Sequence, residues 1–177
     1  MVQNETIETK VKKHLEELSI IYEWVPVDPS FADTTEFCEK YGYSMEESGN
    51  TIIVASKRGD PKYAACIVLG VDRLDVNKKV RKLMEVSRLS FANAEATTNL
   101  TGMMIGGVTP FGLPEELPLY VDSKVMGTSR VILGGGSRSG KISINPKELL
   151  KNPATQVIEG LSISLESCFD QSNTNCF

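Results

Sequence analysis

A single domain of mixed α/β (α+β) class is the fold this sequence predicts, and three observations predict it. Its 177 residues, 41% hydrophobic and 24% charged, are enough to bury one sizeable core. Roughly six or seven short apolar runs with strand character are mixed with four or five short segments of helical spacing. They do not alternate in a β-α-β rhythm, and no repeat, low-complexity block or linker divides the chain.

Taken in order, Ile7, Val11, Leu15 and Leu18 form one helical stripe from about Thr6 to Leu18. Tyr22 to Val27 reads as a strand closed by Pro26 and Pro29. Asp33 or Thr34 caps a helix whose inner face is Phe37, Cys38 and Tyr41 and which Gly42 ends. Thr51–Ser56 and Tyr63–Leu69 are β-rich runs joined by a hairpin turn at 57–61. Asp75 caps a helix bearing Val76, Val80, Leu83 and Met84. A short strand at Arg88–Phe91 and a brief helix opened by Asn93 follow. Leu117–Val121, Arg130–Leu133 and Lys141–Ile144 read as strands. Asn145-Pro146 opens a helix over Lys147–Leu150, with Pro where its missing N–H costs nothing, and Thr155–Ile158 closes the sheet. The domain is expected over residues 1–160, with 161–177 a polar C-terminal tail, frayed from Gln171 to Phe177.

Composition removes several function classes. A net charge of −4 and a pI near 5.2 argue against tight, non-specific nucleic-acid binding, which needs many Lys and Arg contacts to phosphates. The basic cluster Lys78, Lys79, Arg81, Lys82 and Arg88 reads more readily as a solvated helix face. No apolar run approaches the ~20 residues of a membrane helix, and the polar, acidic N-terminus is unlike a secretory signal, so the cytoplasm is the expected location. Cys38, Cys66, Cys168 and Cys176 lack ligand spacing for zinc, and Cys66 reads as a small buried hydrophobe. The only histidine, His14, reads as a surface residue on the charged face of the first helix. Catalysis through a Ser-His or Cys-His pair therefore has little support.

Two glycine-rich segments remain. The first, Gly106-Gly107-Val108-Thr109-Pro110-Phe111-Gly112, fits neither a helix nor a central strand. Gly lets a ligand approach the main chain, and Pro110 biases Thr109 toward an extended shape. A rigid loop displaying N–H groups can hold a carbonyl or oxyanion without an ionisable side chain. The second, Gly134 to Lys141, nearly spells a phosphate-binding P-loop. Ile142 stands where a Mg²⁺-ligating hydroxyl is required, and the continuation alternates like a strand instead of opening a helix. Its readings are a strand-to-strand turn or a pocket wall in which Gly135, Gly136 and Ser137 face a ligand.

From Asn50 to Leu150 the order of these features resembles the YbaK/prolyl-tRNA synthetase-associated family of aminoacyl-tRNA editing domains. The resemblance rests on Thr51-Ile52-Ile53-Val54 before a hairpin, the helix opened by Asp75, Gly106–Pro110 as a G-x-x-x-P signature, Leu117–Asp122, Gly134–Gly136, and Ile144 to Leu150. It implies a mixed, partly closed sheet with flanking helices and hydrolysis, without a metal or other cofactor, of the ester joining a wrong amino acid to its tRNA. The expected partners are the aminoacyl-tRNA 3′ end, bound weakly and salt-sensitively, and a synthetase that delivers it. The resemblance places Gly106, Gly107, Val108 and Pro110 at the catalytic loop, with Thr109 beside the substrate. Asn50 stands where the family carries a lysine, which opens the alternative of a binding module that has lost hydrolysis. Thr51 is expected to orient water or ribose, or simply to pack. Asp122, ending an apolar strand, is read as a substrate-side carboxylate or as a turn cap.

Overall fold

The fold is that of a computed structural model, which describes residues 5–165. Helix α1 (Ile7–Glu17) is capped by Thr6, whose side chain accepts from the Thr9 N–H, and buries Val11 and Leu15 as its apolar spacing requires. Strand β1 (Tyr22–Pro26) follows, then a single 3₁₀ turn over Pro29–Phe31 and helix α2 (Thr34–Tyr41), which buries Phe37 and Cys38. Strands β2 (Gly49–Ser56) and β3 (Tyr63–Leu69) form the expected hairpin. A three-residue strand β4 (Asp72–Leu74) leads to a wide π-helical turn over Val76–Val80, continued by the short helix α3 (Arg81–Leu83). Asp75 caps this turn by accepting from the Lys78 N–H.

Strand β5 (Leu89–Phe91) and helix α4 (Ala94–Thr101) precede the Gly/Pro loop. Strand β6 (Leu119–Asp122) runs directly into helix α5 (Ser123–Met126). Strands β7 (Val131–Gly134) and β8 (Gly140–Ile144), a 3₁₀ helix over Pro146–Lys151, and strands β9 (Thr155–Ile158) and β10 (Ser162–Ser164) complete the chain.

The larger sheet has the order β5-β2-β3-β6-β9 and is mixed: β2 pairs antiparallel with β3 and β5, while β3-β6 and β6-β9 are parallel. A smaller antiparallel sheet, β1-β8-β7, is joined to the residue just before β2 by one parallel bridge between Ser48 and Ile132. Strand β3 explains how one chain supports two cores. Its side chains alternate between faces, and both faces are covered. Ala65, Ile67 and Leu69 join the main core with Val11, Phe111 and Leu119; Ala64, Cys66 and Val68 join a second with Val80 and Leu161. Burial pushes the Cys66 thiol up to about 12, so it behaves as the small hydrophobe expected. A third cluster, centred on Phe37 with Val25, Val27 and Ile132, lies between α2 and the smaller sheet.

One boundary differs from expectation. The domain does not stop at residue 160: Leu161 is fully buried, its carbonyl accepts from the Asp75 N–H, and Ser162–Ser164 pair with β4. Short polar runs such as these have no periodicity that marks them as strands; β4 and β10 exist because each satisfies the other's main chain. The region expected to fray, 171–177, lies outside the described residues.

Candidate active site

The two sheets leave a cavity of about 220 Å³ where β2 meets β7. Gly49 to Ile52 form one wall, and Ile105, Gly106 and Val108 face them across it. The close approach is a glycine effect. A Cβ at Gly49 would lie 2.7 Å from Leu133 Cδ2, and one at Gly107 would lie 2.5 Å from the Ser137 carbonyl oxygen. The loop itself is a turn closed by the Gly107 N–H donating to Met104 O at 2.9 Å. The Gly107 carbonyl accepts from the Gly136 N–H at 2.7 Å. Gly106 has φ +92° and its Cα faces the guanidinium of Arg138, a site that admits no side chain.

Arg138 holds the loop from outside. Its guanidinium donates to both carboxylate oxygens of Asp33 (3.0 and 3.1 Å), to Pro29 O and to Ile105 O. The hydrogen bond from Arg138 keeps the Asp33 carboxyl below its ordinary value, and the same bond raises Arg138. Asp33 sits at the N-cap position of α2 but makes no capping bond, because its carboxylate is committed to Arg138.

The expected site residues divide into three groups. Asn50, Thr51, Gly106 and Val108 come together around the cavity. Asn50 Oδ1 accepts from Thr34 Oγ1 at 2.5 Å, which turns its amide nitrogen into the group available to a ligand. Thr51 Oγ1 is buried at the cavity wall with no hydrogen-bond partner among the described residues. The N–H groups of Gly106 and Val108 likewise have none there.

The second group supports the loop from behind. The Gly107 N–H is spent on the turn, so Gly107 serves the site through its shape and not as a donor. Thr109 and Pro110 are buried beneath the loop, and the Pro110 carbonyl accepts from Asn152 Nδ2 at 3.3 Å. Gly135, Gly136 and Ser137 form the β7–β8 turn that packs against Gly107. The Gly135 N–H donates to Gly140 O, and Ser137 Oγ donates to Glu8 Oε1. The turn reading of this segment holds; the P-loop does not form.

Asp122 stands apart. It caps α5, its Oδ1 accepting from the Lys124 N–H at 2.9 Å, and it does not line the cavity. His14 is also not the free surface residue expected. Its Nδ1 accepts from the Gly112 N–H at 2.8 Å, which ties α1 to the end of the Gly/Pro loop. Helical spacing assigns a face to His14 but cannot show that a loop 98 residues away covers it.

Lys141 is the residue the sequence concealed. Strict alternation along β8 buries Ile142 and Ile144 and turns Lys141 toward the opposite face, which reads as solvent. Phe37 of α2 covers that face, so Lys141 is only 7% exposed and its Nζ lies 5.0 Å from the Phe37 ring centroid. Burial lowers its pKa from the ordinary lysine value. The residue lines the same cavity as Asn50, and its ammonium has no hydrogen-bond acceptor among the described residues.

The sequence pattern of the aminoacyl-tRNA editing domain matches residues 28–152, a span that includes every cavity residue named above. The chain belongs to the aminoacyl-tRNA editing domain family. Among similar proteins, the uncharacterized protein YwhH of Bacillus subtilis is 33% identical to this editing domain over 125 residues, 66% of this chain and 78% of its own. The Enterococcus faecalis protein named "Putative Cys-tRNA(Pro)/Cys-tRNA(Cys) deacylase EbsC" is 26% identical, over 63% of this chain and 66% of its own. Solved structures agree on the fold. The hypothetical protein APE2540 superimposes with a TM-score of 0.77 at 25% identity, covering 87% of this chain and 99% of its own. A "putative trans-editing enzyme for prolyl tRNA synthetase" gives 0.73 at 26% identity, over 90% and 98%. Both the mixed fold and the family resemblance read from the sequence are thereby established.

Proposed function

We propose that this editing domain is a trans-acting aminoacyl-tRNA deacylase, which hydrolyses the ester of a mischarged tRNA in the cavity between β2 and the Gly106–Pro110 loop. The observation that carries this reading is one small cavity lined by Gly106 and Val108, whose main-chain N–H groups have no partner among the described residues, and by the buried unpartnered hydroxyl of Thr51. At about 220 Å³ the cavity is smaller than the ~300–1,000 Å³ of drug-sized ligand sites and suits an aminoacyl group with the nucleoside outside. Ile105, 53% exposed, forms an apolar lip where the terminal nucleoside would rest.

The chemistry asks little of such a site. An aminoacyl ester is already activated, so a placed water and fixed donors for the tetrahedral oxyanion provide most of what is required. Among the described residues no group of three or more His, Cys, Asp or Glu is placed to hold a metal ion. The names of the relatives support the same substrate class, as do the 34% identity and 77 matched residues shared with a proline–tRNA ligase of Caldicellulosiruptor saccharolyticus, only 13% of whose length is covered. Among the described residues no helix is long and apolar enough to cross a membrane; we assign the domain to the cytoplasm, where charged tRNA is found. With a net charge of −4, its affinity for free tRNA should be weak and fall steeply with salt, and a synthetase would supply the substrate.

The test is a deacylation screen against tRNAs charged with alanine, cysteine, serine, proline or threonine, with Thr51→Val as the control. Release of one amino acid, reduced roughly tenfold or more when the hydroxyl is removed, supports hydrolysis in this cavity. Silence across the panel from folded protein rejects it and favours a binding module, the reading that Asn50 in place of a lysine also suggests.

A further inference from the structure

A buried ammonium without a hydrogen-bonded counter-ion is expensive, and proteins seldom retain one that does nothing. Lys141 comes near this state: the residue is 7% exposed, and its ammonium has no hydrogen-bonded partner among the described residues. Its ammonium lies over the Phe37 ring, 5.0 Å from the centroid, its residue surface is almost wholly covered, and the residue lines the same cavity as Asn50, Thr51, Gly106 and Val108. The nearest carboxylate the electrostatics single out, Asp33, is already bound at both oxygens by Arg138, so it cannot serve as a full partner. Lys141 also has no competitor, being the sole cationic side chain on the cavity wall among the described residues.

We propose that Lys141 is a catalytic residue whose ammonium, together with the Gly106 and Val108 N–H groups, binds the oxyanion formed during ester hydrolysis. This rests on the deacylase reading of the same cavity. Water adds to the acyl carbon and loses a proton to solvent, and the carbonyl π electrons move onto oxygen, where the three donors meet them. Collapse re-forms the carbonyl and breaks the bond to the ribose oxygen, which leaves with a proton taken from solvent. The products are the free amino acid and the tRNA hydroxyl. A positive charge already in place beside the cavity needs little reorganisation as the oxyanion develops, which is where such a charge is most effective. The folded protein bears the cost. Burial disfavours the charged lysine, so at neutral pH the ammonium subtracts from stability, and it contributes only when an anion arrives.

The experiment is Lys141→Met, which keeps an unbranched apolar chain beside Phe37 and removes the charge, alone and combined with Asn50→Lys. Activity is read on the tRNA that wild type deacylates, with melting temperature in parallel. Lys141→Met should lower kcat about 100-fold with little change in KM, and melt at or above the wild-type temperature. Adding Asn50→Lys, which returns an ammonium to the same cavity from β2, should recover most of the lost kcat. A change in kcat of about twofold or less, a lowered melting temperature, or a loss that Asn50→Lys leaves unrestored would overturn the proposal while wild-type turnover keeps the deacylase reading intact. Wild type that hydrolyses none of the charged tRNAs would overturn both.

Discussion

The two glycine-rich segments look alike in sequence and do opposite work in the fold. In Gly106–Pro110, Gly106 and Val108 line the cavity, and their main-chain N–H groups have no partner among the described residues. Gly134–Lys141 is a strand–turn–strand segment in which Gly134 alone of the glycines lines the cavity, and its glycines let main chain lie on main chain. A Cβ at Gly134 would sit 2.7 Å from the Gly107 carbonyl oxygen, and one at Gly135 would sit 2.7 Å from Gly140 O. The second segment nonetheless carries the two cations that matter, Arg138 clamping the first loop from outside and Lys141 entering the cavity beneath it. In this protein glycine content marks where backbones meet, and the side chains that follow the glycines determine what the meeting does.

The sharpest way to break that pairing is to force the segments apart. Gly134→Ala drives a methyl group into the carbonyls of Gly107 and Val108, which are backbone and cannot swing aside. Overpacking of this kind costs about 1–3 kcal/mol, and a displacement of the loop by even ~1 Å should lower deacylation about 100-fold. Gly127→Ala, whose Cβ would meet only Lys124 O at an ordinary 3.4 Å, should change both readouts little. Equal losses in the two variants, measured by denaturant unfolding and single-turnover hydrolysis, would remove the contact between the segments as the reason.

How far the sequence exposed this arrangement varies between the two segments. The Gly106–Pro110 loop was legible because its residue types exclude regular structure, and the strands on either side of it follow from their own apolar runs. Lys141 was not legible. Its burial depends on α2 folding across the outer face of β8, a non-local event with no trace in the alternation of Gly140 to Ile144. The role of His14 was hidden for the same reason, since its partner Gly112 is far away in sequence. Local pattern determines which face a residue is on, and tertiary packing determines whether that face is wet.

A smaller effect concerns the clamp, whose Asp33 also lines the cavity. Asp33 is held below its ordinary carboxyl value of 3.8 by the hydrogen bond from Arg138. A lowered folded pKa means the pair stabilises the fold above the unfolded value and loses that contribution as pH falls through the folded one. The carboxylate is largely exposed, so solvent screening limits the contribution to about 1 kcal/mol or less. Arg138→Met should therefore reduce stability modestly at pH 7, and the difference should narrow as pH falls through the lowered Asp33 pKa, leaving the share carried by the bonds to Pro29 O and Ile105 O. Because Arg138 also donates to Ile105 O, deacylation at pH 7 should fall roughly tenfold as the loop loosens. A stability difference that persists undiminished in acid would show that Arg138 acts by packing and not through Asp33.

The smallest expected effect concerns a residue that belongs to neither segment. Asp122 has the burial of a catalytic carboxylate, at 1% exposed, and its Oδ2 lacks a partner among the described residues. Its geometry is that of a helix cap, with Oδ1 accepting from the Lys124 N–H and the cavity lying elsewhere. The two roles part under Asp122→Asn. The amide retains an oxygen for the cap, so stability should hold within about 0.5 kcal/mol, and hydrolysis should stay within twofold. Asp122→Ala, which removes the cap, should cost about 1 kcal/mol. A tenfold or larger loss of deacylation in Asp122→Asn, at undiminished stability, would return Asp122 to the substrate side and extend the working surface beyond the two glycine segments. Retained activity would confine the chemistry to the seam where β2 meets β7, with charge supplied from one segment and main-chain donors from the other.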